Sequence, residues 1–354
     1  MESAETLTRV ITKENLVGTV DVRLFFRRAN PTGNVSIEQS FEEMVAFFPK
    51  GNDFRLNIFR SSYYSMGVLP RLKAILEVRR HRSGINHVTG DTNFLALGLP
   101  GKNTVLTIHD CGLLEGKGRL GRWVLWLFWL KLPVASCEYI TAVSEATKRD
   151  IIQLTGCGAE KIMVIPTIIK SFYRYKPHSF RKEYPTILHI GNSPNKNLER
   201  HAKALSGLPC HLHIIGKFDS GQTELLKKLK IDATISYNLT NEEMYAAYCE
   251  ADILLFCSTI EGFGMPIIEA QTVGRVVITS RISSMPEVAG VGGACFVDPY
   301  NIDEIRQAVK LVIADDNYRN SLIKNGFENI KRFNSEVVAR QYFDLYKKVM
   351  DGKV

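Results

Sequence analysis

Twelve short apolar runs rich in β-branched side chains recur along the 354-residue chain, with helical patterns between them from end to end. No other feature restricts the fold as tightly, because strands that alternate with helices pair in parallel, so the chain is α/β with mainly parallel sheets. The first six runs are residues 20–26, 55–59, 85–88, 104–109, 138–142 and 162–165; the second six are 186–190, 211–215, 233–236, 252–257, 276–279 and 294–297. Helical periods are read over 37–48, 69–80, 120–132 and 145–154, and over 244–250, where Thr240 and Glu243 have capping-box spacing. Three more, 302–314, 318–333 and 335–350, follow one another without a strand. Between the two sets of six the pattern pauses once. Residues 171–185 hold Pro177 and Pro185 and no apolar period, which marks a linker.

The length is too great for one ordinary domain and comfortable for two. The expected organisation is an N-terminal domain over 1–170, the linker 171–185, a C-terminal domain over 186–333, and a last helical segment, 334–354, free to pack back on the first domain. Two doubly wound domains facing each other leave a cleft at the carboxyl ends of their strands, and a ligand belongs there.

A hydrophobic content of 45% and a charged content of 23% are those of a soluble globular protein. The net charge of +8 is uneven: through Lys170 there are 22 Lys/Arg against 16 Asp/Glu, and 23 against 21 thereafter. That modest excess, with no recognition motif of stacked aromatics and basic spacing, argues against a nucleic-acid role. The seven cysteines form no Cys-x-x-Cys pair, as in a reduced cytoplasmic protein. The N-terminal segment does not read as a signal peptide, and the longest apolar run, 123–130, is far short of the roughly 18–20 residues that span a bilayer.

Function is concentrated in the run Glu261-Gly262-Phe263-Gly264-Met265-Pro266-Ile267-Ile268-Glu269. It follows an apolar strand, and Pro266 stands where the first turn of a helix begins, so the two glutamates flank a strand–loop–helix junction. Gly262 and Gly264 permit close backbone approach, and a helix N-terminus offers unpaired N–H groups to a phosphate. Carboxylates on both sides would repel a bare phosphate; they suit hydroxyl groups. Hydroxyls, diphosphate, hydroxyls is the pattern of a nucleotide sugar. A second loop, Gly191-Asn192-Ser193-Pro194-Asn195-Lys196-Asn197, follows the first strand of the second half and places Lys196 to reach a diphosphate, with Gly191 and Asn192 as donors.

These two loops, with Val143-Ser144-Glu145, Val164-Ile165-Pro166 and Met285-Pro286-Glu287-Val288, resemble the retaining glycosyltransferases of family 4, over nearly the whole chain. The resemblance implies the GT-B architecture of two Rossmann-like domains around a central cleft. It implies that Glu261 accepts hydrogen bonds from the donor hexose, that Glu269 binds the ribose, and that the backbone of Phe263, Gly264, Met265, Pro266 and Ile267 contacts sugar and phosphates. Lys196 matches the family's lysine, but Asn192 stands where an arginine is expected, so either Lys196 and the helix dipole suffice or another cation such as Lys217 contributes. His109, at the end of a strand, is placed near the donor sugar, and Gly33 in a loop that closes over the phosphates; the bland readings are a capped strand end and an ordinary turn. Retention is implied through attack of the acceptor on the face the diphosphate leaves, with Glu261 positioning the sugar.

No Asp-x-Asp motif of the metal-dependent kind appears near a strand end, so neither metal nor cofactor is expected beside the donor. The expected activity is hexosyl transfer from a GDP- or UDP-linked sugar to a saccharide or lipid-linked acceptor in bacterial surface polysaccharide assembly. Rival readings are a nucleotide-sugar epimerase or hydrolase on the same frame, and a non-catalytic sensor or scaffold. The stretch 122–131, with Trp123, Trp126 and Trp129 between basic ends, is apolar all round for two turns and leaves three covers open: a membrane interface, the core, or another subunit. The expected location is cytoplasmic, with peripheral contact at the inner face of the membrane.

Overall fold

The computed structural model describes residues 19–28, 36–51, 53–112 and 118–352. All twelve apolar runs are strands. β1 (Val20–Phe26), β2 (Phe54–Arg60), β3 (Ile85–Val88), β4 (Thr104–Ile108), β5 (Tyr139–Ala142) and β6 (Ile162–Val164) form one sheet in the order β2-β1-β3-β4-β5-β6. β7 (Thr186–Ile190), β8 (His211–Ile215), β9 (Ala233–Ser236), β10 (Ile253–Phe256), β11 (Val276–Ser280) and β12 (Cys295–Val297) form the other, in the order β12-β11-β10-β7-β8-β9. Every pairing in both sheets is parallel. Helices cover both faces of each sheet, which is why the central strands β3, β4, β10 and β11 are buried at every residue.

The strand order of each sheet reverses once, between β1 and β3 in the first and between β7 and β10 in the second. Loops that leave adjacent strands in opposite directions open a crevice at their carboxyl ends. In the second sheet these are the Gly191–Asn197 loop and the loop that runs into Glu261, so topology alone brings the two motif-bearing segments side by side.

The chain crosses between the domains twice at one place. Ile169, leaving the first domain, donates its backbone N–H to the Phe333 carbonyl (3.2 Å), and Ser335 Oγ donates to the Ile169 carbonyl (3.4 Å). The helix Ser335–Asp351 then packs on the first sheet, where Val338, Tyr342 and Tyr346 join Val22, Leu24, Phe41 and Ile85 in one core. A buried polar chain fixes its register: Tyr346 Oη and Thr107 Oγ1 lie 2.7 Å from the two nitrogens of His87, and Thr107 Oγ1 lies 2.6 Å from Thr141 Oγ1. Burial pulls the His87 imidazole down to about 3, so the ring is neutral in the fold.

The three-tryptophan stretch is helical, entering at Arg119–Leu125, widening to π-type bonding over Trp126–Lys131 and ending in Leu132–Ser136. Only Trp123 is exposed. Trp126 donates its indole N–H to the Leu154 carbonyl (2.7 Å), and Trp129 packs on Phe94 with ring centroids 5.6 Å apart. Of the three covers left open by the sequence, the core takes Trp126 and Trp129, whose rings belong to the packing under the helix. Among the described residues no helix is long and apolar enough to cross a membrane.

Candidate active site

Gly191 ends β7 with φ +100°, a left-handed conformation that glycine adopts without strain. A side chain there would also displace the stem of Lys196, whose Cγ lies 2.7 Å from where its Cβ would be. The lysine folds back over the loop and reaches the second motif: Lys196 Nζ sits 2.6 Å from Glu261 Oε1, both side chains partly buried, and 4.7 Å from the centre of the Phe256 ring. The two residues read as facing each other across a ligand site thus form an ion pair. The loops are further joined by Asn195, whose side chain donates to the Ile260 carbonyl (3.0 Å) and whose carbonyl accepts from the Thr259 N–H (2.8 Å). Asn192, at the position of the expected arginine, donates its amide to the Lys217 carbonyl. That bond brings Lys217, exposed at the end of β8, beside the same loop.

The helix Met265–Val273 begins where Pro266 predicts. Gly264, at φ +106°, is its N-cap and supplies no side chain, so the N-terminus is uncapped and faces the loops with its dipole. Glu269 departs from its expected place. It is the fifth residue of this helix, in the second turn, and only 6% exposed. Tyr248 Oη donates to its Oε2 at 2.6 Å, and Tyr173 is a second hydroxyl partner. Burial pushes its carboxyl up, against the pull of Lys170 and the tyrosines. It does not line the cleft in this structure, because the second turn of a helix that enters the core turns inward there.

The cleft between the domains has a volume of about 470 Å³, lined from the second domain by Asn195, Glu261 and Gly262 and from the first by Asp110, Cys111 and Asp150. At its floor the domains touch. Ser144 Oγ (2.6 Å) and Thr147 Oγ1 (3.0 Å) both donate to the Gly262 carbonyl, and Ser144 also caps its own helix, Glu145–Thr155, by accepting from the Thr147 N–H (3.0 Å). Glu287 accepts from the Ala146 N–H at the same helix N-terminus (3.4 Å), and burial raises its carboxyl. On the facing loop, Ser283 and Ser284 hold the Glu261 carbonyl at 2.8 and 2.9 Å. Ser144, Thr147, Ser283 and Ser284 were not singled out as site residues in sequence; the capping spacing of Ser144 and Thr147 ahead of a helical period was the available signal.

His109 meets this floor through its backbone. Its carbonyl lies against Gly262, whereas its ring donates Nε2–H to the Thr89 carbonyl (2.8 Å) and borders a narrow crevice with Phe41 and Tyr342. The ring is thus a capped strand end beside the cleft. Gly33 lies outside the described residues.

Residues 20–170 match the pattern described as Glycosyltransferase Family 4, and residues 174–329 match that described as Glycosyl transferases group 1. The chain belongs to glycosyltransferase family 4. This family 4 chain is similar to O-antigen chain mannosyltransferase B of Escherichia coli, 27% identical over 235 residues that cover 60% of this chain and 61% of the relative. It is also similar to O-antigen chain mannosyltransferase RfbU of Salmonella typhimurium, 28% identical over 244 residues, covering 65% and 68%. Its match to the serotype-specific mannosyltransferase WbdA of Escherichia coli spans only 34% of that longer protein. Among solved structures, a sucrose-phosphate synthase from Thermosynechococcus elongatus superposes with a TM-score of 0.75 at 15% identity, over 94% of this chain and 100% of that one. The Anabaena HepE protein in complex with UDP-glucose does so at 0.72 and 15%, over 93% and 100%. These likenesses establish the fold of the family 4 chain as GT-B, two Rossmann-like domains facing a cleft.

Proposed function

We propose that this chain transfers a hexose from a nucleoside-diphosphate sugar to a saccharide or lipid-linked acceptor in the assembly of a bacterial surface polysaccharide. The observation that carries the reading is the Lys196–Glu261 pair beside the uncapped N-terminus of Met265–Val273, at the strand-order reversal of the second sheet. The site offers the Lys196 ammonium and one helix dipole for a diphosphate, and the Glu261 carboxylate for sugar hydroxyls. When donor enters, the ammonium of Lys196 exchanges Glu261 for phosphate oxygens, and the freed carboxylate accepts from the hexose. The bond from the anomeric carbon to the diphosphate oxygen then breaks, the acceptor oxygen bonds on the same face, and its proton passes to the departing diphosphate. Lys196, with Lys217 near it, offsets the charge that develops on that leaving group, and no metal is required. The mannosyltransferase names of the relatives favour mannose as the hexose, and the UDP-glucose complex of HepE supports a nucleotide sugar as donor. In this reading the protein is cytoplasmic and works at the inner face of the membrane when its acceptor is lipid-linked.

The test is a panel of nucleoside-diphosphate hexoses, with binding followed by calorimetry and release of nucleoside diphosphate followed with and without saccharide acceptors. Transfer of sugar to an acceptor is the expected result. Release without transfer would indicate a hydrolase, binding without turnover a sensor, and neither binding nor turnover with any member would end the proposal.

A further inference from the structure

We infer that one face of the N-terminal domain, built from the helix Val68–Arg80 and the helical stretch 119–136, docks on an anionic lipid bilayer. The first helix buries Ala74 and Val78 and turns the opposite stripe outward, with Leu69 (71% exposed), Leu72 and Leu76 spaced by three and four residues. The second buries Leu130 and Val134 and presents Leu120 (76% exposed), Trp123 (54%) and Phe128. The stripes lie on one side of the domain because Arg71, from the first helix, stacks over Trp129 of the second at 5.4 Å and over Phe94 between them at 5.7 Å. Burial in that stack lowers the arginine's pKa, because desolvation disfavours the charged guanidinium.

Large apolar side chains clustered in this way mark a surface that meets something, and the charge around them says what. Lys73, Arg79 and Arg80 are exposed on the first helix, Arg119 and Arg122 on the second. Glu77 is the only acidic residue in either segment, and its carboxylate is taken up by Ser61 and by the Ser62 N–H. Leucine, tryptophan and phenylalanine at the depth of acyl chains, rimmed by arginine and lysine at the depth of phosphates, fit the interface of a bilayer that carries negative lipid. A protein partner of ordinary mixed charge would have no use for so one-signed a rim. The chemistry of this face is independent of what the cleft transfers.

The full chain is floated with vesicles of phosphatidylcholine alone and of phosphatidylcholine mixed with phosphatidylglycerol, at low and high salt. It is expected to rise with the mixed vesicles only and to be released by salt. The double variant Leu72→Glu, Trp123→Glu and the variant Arg79→Gln, Arg80→Gln are each expected to bind the mixed vesicles about tenfold less well or worse. Both substituted pairs are exposed, so unchanged circular dichroism and melting temperature confirm the fold, and nucleoside-diphosphate binding in solution, which reads the cleft separately, stays as in the parent. The inference is overturned if the parent chain ignores mixed vesicles, binds both kinds equally, or binds them as well after either double substitution. It is overturned equally if light scattering shows a dimer that the Leu72→Glu, Trp123→Glu variant dissolves, since the face then belongs to a second copy.

Discussion

Alanine at Gly262 tests the contact on which the floor of the cleft depends. The backbone there is not left-handed, so alanine introduces no conformational strain of its own, and the perturbation is purely one of space. The added methyl would overlap the His109 carbonyl oxygen and lie 2.8 Å from Asp110 Cβ, where carbon pairs settle at about 3.5–4.0 Å. Neither neighbour is the tip of a flexible side chain. The loop must therefore withdraw by more than about 1 Å, and the Gly262 carbonyl then leaves Ser144 Oγ and Thr147 Oγ1. At about 0.5–1.5 kcal/mol for each hydrogen bond, the joined arrangement of the domains loses about 1–3 kcal/mol, or about 5- to 150-fold in its population. Each domain keeps its own core, and Lys196, Glu261 and the helix terminus keep their places in the second domain. The expected result is a kcat/KM for transfer about 10- to 100-fold lower, with donor affinity by calorimetry within about threefold of the parent and a melting temperature nearly unchanged. Ser144→Ala moves in the same direction by less. A Gly262→Ala enzyme with the parent's kcat/KM, or one whose loss follows entirely from unfolding, would refute the reasoning.

The ion pair makes opposite demands on its two members. Glu261→Gln releases Lys196 and leaves nucleoside-diphosphate affinity equal or higher while transfer falls about 100-fold or more, whereas Lys196→Met weakens that affinity about 10- to 100-fold; calorimetry that moves both the same way counts against the pair's assigned roles. Tyr248→Phe leaves the buried Glu269 carboxylate with one hydroxyl donor fewer and is expected to cost about 1–3 kcal/mol in urea unfolding, with no cost meaning that the bond is incidental. Acid should unfold the protein through its buried histidines. Burial holds His87 at about 3 and His189 at about 4, both below the ordinary value near 6.5, so the unfolded chain binds more protons as pH falls. Their contribution is intact above about 6.5, shrinks as pH falls and is fully lost near 3, amounting to about 2–3 kcal/mol for each by pH 4.5. Protonation of the raised Glu269 carboxyl works in the opposite sense over the same range. A urea midpoint that stays flat from pH 7 to 4.5, or a His87→Gln variant with the parent's profile, would contradict this balance.

The architecture was legible because buried parallel strands carry their own signature: 252–257 and 276–279 could not have been amphipathic and were not. The helices Leu198–Leu205 and Ser220–Lys228 escaped that reading, being short and, in the second, having only Leu226 buried. At the site, the order of elements was enough to bring Glu261, Lys196 and the start of the helix Met265–Val273 close together. Glu269 was harder. Its spacing from Glu261 is linear in sequence, but three loop residues followed by a helix rotate it into the core, and nothing local announces that Tyr173 and Tyr248 wait there. The tryptophan stretch was ambiguous for a related reason: a helix apolar on all sides does not say which side is under the protein until Phe94 and Leu154 are known to flank it.

The path of the last helix sets an order on how this protein comes into being. Val338, Tyr342 and Tyr346 complete a core whose other members, such as Val22, Leu24 and Phe41, leave the ribosome before the second domain is made. Domains are ordinarily finished in the sequence in which they are synthesised. Here the first is left open, with His87 lacking its tyrosine and the inner face of β1 and β3 uncovered, until the helix Ser335–Asp351 emerges after the second domain. Newborn chains therefore pass through a stage in which one half is ready and the other is not, and a stop codon anywhere before the last helix leaves the first domain without Val338, Tyr342 and Tyr346 in its core.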